Sequence, residues 1–346
     1  MATSRRHFVQ LFSGAAIASQ LCSRLCAEPP LFEVDRLAGE CLAYRPLASQ
    51  RRYQASAHIS LFSIPLISKS GVGSGFAVVE DASEPAGNTV AIQFGAGSFP
   101  DSARGLNRLG FIQEVVRESA VGDVQACAYL AFMTSSQEKN LEQAKAALEQ
   151  SGSQIAYVAS EGKGRAGVFS SRLERLSFPS QTTWRDYPTL LAKVRTALAS
   201  DQPAECTSKQ LASTDQAPAT FLYAIRKALV ATDTHTNQPI VYNGKELLLT
   251  TTRKPDPEAG ARFAKRNLVQ SRGRVMRLDA TVRDHATGHL TPFRVWFESG
   301  AEQLPPLCFE YQPKSFLRLT FEFDPTAAGP PIGLALHKRQ TEGSAN

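Results

Sequence analysis

The chain has 346 residues, 42% hydrophobic and 20% charged, a globular balance that excludes a disordered chain and allows one large domain or two ordinary ones. Its formal net charge is +6, but Arg5, Arg6 and Arg24 fall in a leader-like start without Asp or Glu. Taking these three from the 38 Lys and Arg leaves 35 against 32 acids, a net of +3. The remaining cations are interspersed with acids, so no phosphate-binding stripe forms and nucleic acid is excluded as an expected partner.

Ser4-Arg5-Arg6-His7-Phe8-Val9 opens on two arginines, an apolar stretch runs from Phe8 to about Cys22, and Cys26-Ala27 precede Glu28-Pro29-Pro30. A basic start, a modest apolar segment and a small residue before a polar opening predict a cleavable export signal over 1–27 of the twin-arginine type. The apolar segment is too short to span a bilayer. The expected location is the periplasm, with no transmembrane segment in the mature chain. Cys22 and Cys26 lack the small preceding residue of a lipid-anchored cysteine.

Residues 28–50 show no sustained period and read as a lead-in to a β-rich domain over 51–325. Tyr53, Ala55, Ala57, Ile59 and Leu61 alternate with polar residues, the two-residue period of a half-buried strand. Ile64-Pro65 ends or bulges it. Strands follow over Gly75 to Glu80, Val90 to Ala96 and Phe111 to Arg117, and Cys127 to Met133 is apolar on both faces, as a central strand would be. Ser135-x-x-Glu138 is a capping box before Leu141, Ala144 and Leu148. A hairpin over Ile155 to Ala159 and Val168 to Phe178 is expected to turn at Glu161-Gly162-Lys163-Gly164. A second helix starts near Pro188 and buries Leu191, Val194 and Leu198. Ser200 to Pro218 reads as a linker.

Ala219 to about Val230 forms a third helix, with Leu222, Ile225 and Leu229 on one stripe. Asn243-Gly244 between apolar runs predicts a tight hairpin. Four alternating segments around Leu278, Val295, Phe309 and Phe321 then predict an antiparallel meander with one packed face and one wet face. A Pro/Gly-rich tail over 326–346 ends the chain. The expected fold class is α+β, mainly β: a long curved antiparallel sheet with about three helices packed on or beside it.

Four cysteines remain in the mature chain: Cys41, Cys127, Cys206 and Cys308. They permit two disulfides in three connectivities. Cys127 and Cys308 sit in apolar runs and read as small hydrophobes, and Cys41 with Cys206 is the favoured pair if only one bridge forms. The mature chain has no Cys-x-x-Cys spacing, so a zinc knuckle or thioredoxin-type site is not expected.

The segments Phe221-Leu222-Tyr223-Ala224-Ile225-Arg226, Val241-Tyr242-Asn243-Gly244-Lys245 and Trp296-Phe297…Leu304-Pro305-Pro306…Tyr311 are similar to those of an uncharacterised family of exported bacterial β-proteins, a domain of unknown function. Residues 53 to 66 resemble its opening strand, so the likeness extends over 53–323. The resemblance implies a long antiparallel sheet partly wrapped around a helix, in the periplasm, with residues 135–210 as an insertion. It carries no catalytic residue over.

Gly71-Val72-Gly73-Ser74-Gly75 has neither a phosphate-loop spacing nor the glycines a nucleophile elbow needs two residues from Ser74. It reads as a turn or a bare strand face. His285 and His289 are spaced for a metal on a helix, with Asp284 nearby, but Ala286-Thr287-Gly288 predicts a turn there. His58, His235 and His337 fall on a polar strand face, in a loop and in the tail. Arg104 and Arg108 flank a glycine and could bind an anion, though a solvated loop with ordinary ion pairs is the simpler reading. Trp296 and Phe316, on polar faces, mark either a binding surface or cover by a helix or by the 135–210 region.

No catalytic, metal or cofactor constellation is expected. The sequence therefore points to a non-enzymatic envelope protein binding a lipid, another apolar or amphipathic small molecule, or an envelope protein on its curved sheet. The alternative is a periplasmic hydrolase-type enzyme whose site forms only in three dimensions.

Overall fold

The computed structural model describes residues 32–42, 47–61, 64–85, 87–103, 105–134, 154–165, 167–199, 205–210, 217–301, 303–314 and 316–329. The leader, the helix expected after Ser135, Arg104, His337 and the tail beyond 329 lie outside these residues. So do the side chains of Cys41 and Cys206.

The organising element is one sheet of fifteen strands. One arm is a meander of β1 (Leu47–Leu61), β2 (Ile64–Glu84), β3 (Gly87–Ser98), β4 (Leu109–Ser119), β5 (Val124–Thr134), β6 (Gln154–Arg165), β7 (Val168–Pro179) and β8 (Glu205–Gln210). The other arm contains β9 (Ala219–Thr220), β10 (His235–Tyr242), β11 (Lys245–Pro255), β12 (Val275–Asp284), β13 (Leu290–Glu298), β14 (Cys308–Lys314) and β15 (Leu317–Phe323). The arms join where β1 pairs antiparallel with β15, Ala55 opposite Phe321 and Ala57 opposite Leu319. The first and last strands of the described sheet therefore lie at its centre, and β8 and β9 form its edges. The fold is α+β and mainly β.

Local chemistry accounts for the turns. Asn243 and Gly244 both take positive φ, 49° and 69°, as a two-residue hairpin turn requires. In β2 the register jumps from Ala55–Gly73 to Ser56–Ser70, leaving Gly71 and Val72 as a bulge. Gly71 has φ 66° there, a conformation open to glycine at little cost.

The sheet has two working faces. On the outer face, Phe76, Val78, Phe111, Val115, Ala128, Leu130 and Tyr157 form one core with helix α1 (Glu33–Leu42), the 3₁₀ turn Trp184–Asp186 and helix α2 (Tyr187–Ala199). Two ion pairs link the helices to one another and to the sheet: Asp35 of α1 with Arg195 of α2, and Glu33 with Arg165 of β6 at 2.7 Å. Trp184 is fully buried over Gly95 and Gly97, and its Nε1 donates to Ser74 Oγ at 3.1 Å. A Cβ on Gly97 would come within 2.5 Å of the Trp184 side chain. Gly97→Ala is expected to destabilise the protein by about 2 kcal/mol through overpacking, read by urea unfolding followed through tryptophan fluorescence.

On the inner face the sheet curls around helix α3 (Phe221–Val230). Val79, Val90, Ile92, Val116 and Cys127 from one arm share a core with Ile240, Leu249, Leu278, Val295 and Phe297 from the other, with Tyr223, Ala224, Ile225, Ala228 and Leu229 of α3 between them. The arms also touch directly: Phe94 lies 5.1 Å from Phe309 between ring centroids, and Ser160 Oγ donates to Asn243 Oδ1 at 2.5 Å. β5 is apolar throughout because its two faces are buried under different layers, Leu130 and Phe132 outward and Cys127 and Tyr129 inward.

Several elements differ from the sequence expectations. The lead-in contains α1, and β1 already begins at Leu47. Glu161-Gly162-Lys163-Gly164 is not the turn of its hairpin. These residues lie within β6, where added Cβ atoms would meet the Tyr129 ring at Gly162 and Pro218 at Gly164. The turn follows Arg165, with Gly167 at φ 75°. Part of the expected linker is β8, hydrogen-bonded to β7. In α2 the buried stripe uses Leu190 rather than Leu191.

Helix α4 (Pro257–Lys265), which no clear period announced, packs on the outer face of the second arm. Asp256 caps it by accepting from Ala259 N at 2.9 Å and also accepts from Trp296 Nε1 at 2.9 Å. Trp296 is therefore covered by a helix, together with Phe263 and Cys308. Phe316 is buried as well.

Candidate functional site

Among the described residues, those singled out from sequence do not converge. Ser74 is buried and holds Trp184, so its hydroxyl is structural. His285 and His289 are exposed at either end of the β12–β13 turn. Asp284 there accepts from Ala286 N at 2.9 Å and Lys245 Nζ at 2.8 Å. Those partners hold its carboxyl down at about 2, which is turn chemistry. His235 stands at the start of β10 rather than in a loop, 3.1 Å from Thr252 Oγ1. Arg108 Nη1 donates to its neighbour's carbonyl, Asn107 O, at 3.2 Å. The thiols of Cys127 and Cys308 are buried and free, and burial raises each to about 12, which leaves them unreactive near neutrality.

Two places on the sheet are candidates among the described residues. The first is an outer-face trough of about 320 Å³ between the α1/α2 layer and α4. It is lined by Gln54, Ser56 and His58 of β1, Ser68 and Ser70 of β2, Thr320 and Glu322 of β15, and Arg266. His58 Nδ1 lies 3.0 Å from Ser68 Oγ. Desolvation and then the Arg318 guanidinium lower the pKa of the imidazole, with Glu310 opposing them. No carboxylate hydrogen-bonds the ring among the described residues, so the group that would orient a hydrolytic relay is missing from it.

The second is the end of the inner face that α3 leaves uncovered. Glu114 of β4 fixes where the helix begins, its two oxygens accepting from Leu222 N and Tyr223 N, each at 2.9 Å. Thr220, just before the helix, makes no side-chain capping bond. The Glu114 carboxylate supplies the cap from another element, and negative charge is favoured at a helix N-terminus. One turn further along α3, Glu118 accepts from Tyr223 Oη and from Lys227 Nζ at 2.8 Å. Burial raises Glu114 to about 7 against the opposing pull of these backbone donors.

Beyond Glu114, on the strand positions past the helix, the inner face stays apolar but is no longer sealed. Met133 is 39% and Tyr311 41% exposed, and Ala57, Ala96, Val158 and Leu319 on the same face are half-buried. Ala57, Ala96 and Leu319 pack with Phe94, Phe309 and Phe321, whose rings touch one another. Sequence alternation identified the strands but not this opening, because where α3 begins depends on a carboxylate more than 100 residues before it in the chain.

No family model, curated protein or solved structure matches the chain. No helix among the described residues is long and apolar enough to cross a membrane.

Proposed function

We propose that this is an exported, non-enzymatic cell-envelope protein that binds an apolar or amphipathic molecule at the uncovered end of its inner sheet face. The observation that carries the reading is the set of apolar side chains left accessible on the inner face, with Met133 of β5 39% and Tyr311 of β14 41% exposed. Apolar side chains on the packed face of a sheet normally find cover from the fold itself, and exposed apolar patches mark binding surfaces. The leader-like start supports export.

The hydrolase reading draws on the His58–Ser68 pair alone. The absence of an acid partner for the imidazole among the described residues weighs against it.

The binding reading is tested by titrating the purified protein with a neutral naphthylamine fluorophore. The expected result is saturable enhancement with a midpoint near 1 μM, equivalent to about 8 kcal/mol. Leu319→Asp should weaken binding at least about tenfold, since it places a charge among these apolar side chains. A linear, unsaturable signal, or full binding by the Leu319→Asp protein, would sink the reading.

A further inference from the structure

Resting on that reading, we propose that the ligand is an anionic amphiphile, a long-chain carboxylate whose head sits at Lys69. The sheet registers place five residues in one cross-strand row on the inner face. Lys69 of β2 lies opposite Ala57 of β1, Ala57 opposite Leu319 of β15, Leu319 opposite Tyr311 of β14, and Tyr311 opposite Phe293 of β13. Strands lie about 4.8 Å apart, so the row runs roughly 19 Å from the amine to Phe293. Lys69 is exposed, Ala57 and Leu319 are half-buried, Tyr311 is 41% exposed, and Phe293 is half-buried and packs edge-on against Phe221 of α3 at 5.7 Å.

One end of the row offers a cation to solvent and the other ends against the first residue of the helix. That polarity suits a molecule with one charged head and one apolar tail. Lys69 enters no ion pair among the described residues, and the row contains no acid, so the complementary charge on the ligand is negative. On the side of α3 the next row, Ala55, Phe321, Phe309 and Val295, is buried except for Phe309, which is half-buried under Phe94, whereas on the other side Ile59 and Leu317 are half-buried.

The test is calorimetric titration of the purified protein with three twelve-carbon amphiphiles below their micelle concentrations: dodecanoate, dodecyltrimethylammonium and the uncharged dodecyl maltoside. Dodecanoate should bind at least about tenfold more tightly than the cation, an advantage that shrinks as salt screens the amine. Lys69→Glu, at an exposed position, should remove that advantage, leave the maltoside affinity unchanged and preserve the unfolding midpoint. Equal affinity for all three heads, unaltered by Lys69→Glu, would overturn the headgroup assignment while the apolar reading stands. No binding by any of them would overturn both. So would a concentration-dependent dimer, abolished by Tyr311→Asp, that binds no amphiphile, because it would assign the face to a second copy of the chain.

Discussion

Glu114→Ala should lower the unfolding free energy by about 3–5 kcal/mol, a larger loss than at any surface carboxylate. The side chain is fully buried and accepts from two backbone N–H groups in the first turn of α3. The helix has no local side-chain cap to replace it. Truncation leaves both donors buried without an acceptor, at about 1–3 kcal/mol each, and opens a small cavity between β4 and α3. Glu114→Gln keeps one carbonyl oxygen and should lose only about 1–2 kcal/mol, because one donor remains satisfied. Urea unfolding of the three proteins at one pH gives the comparison. A loss below 1 kcal/mol for the alanine variant would mean that α3 is held by its apolar stripe alone. The same experiment bears on the ligand row, since its inner end lies against the first residue of α3.

Periodicity made the second arm legible. Its strands around Leu278, Val295, Phe309 and Phe321 have one face against α3 and the other largely wet, so apolar and polar residues alternate cleanly. β5 was legible for the opposite reason, since burial on both sides turns alternation into a continuous apolar run. Where the sequence misleads, a neighbour distant in the chain is responsible. Gly162 and Gly164 suggest a turn, but they are bare because Tyr129, Phe169 and Pro218 fill the space a side chain would take. Helix α1 has only ten residues, too few to be stable alone in water. It is held by Val34, Leu37 and Ala38 against the outer core and by its ion pairs.

The candidate site was less legible than the fold. Lys69, Ala57, Leu319, Tyr311 and Phe293 become one row only because β1 pairs with β15, an association across more than 250 residues. No local pattern announces it. Trp296 shows the same dependence in reverse. Its position on a polar strand face made exposure plausible, and Asp256 with α4 removes it from solvent.

Glu80→Leu should stabilise the protein, and only on the alkaline side. Glu80 lies on the outer face beside Val78, is 2% exposed, and neither carboxylate oxygen has a hydrogen-bond partner among the described residues. Desolvation alone raises it from an ordinary 4.5 to about 7. The folded state therefore holds a proton that the unfolded chain releases between those values. Stability contributed by this group is fully present below about 4.5 and is lost as pH rises through about 7. At 1.36 kcal/mol per unit the loss approaches about 3 kcal/mol. Leucine removes the titration and fills similar volume, so the variant should exceed the wild type by about 2–3 kcal/mol at pH 8 and by little at pH 5. Glu114, also raised to about 7, leaves a residual slope of the same sign in the variant. Urea unfolding at both pH values separates the two. If Glu80→Leu is equally or less stable than the wild type at pH 8, the carboxylate has a partner that offsets its burial, and the slope must come from Glu114.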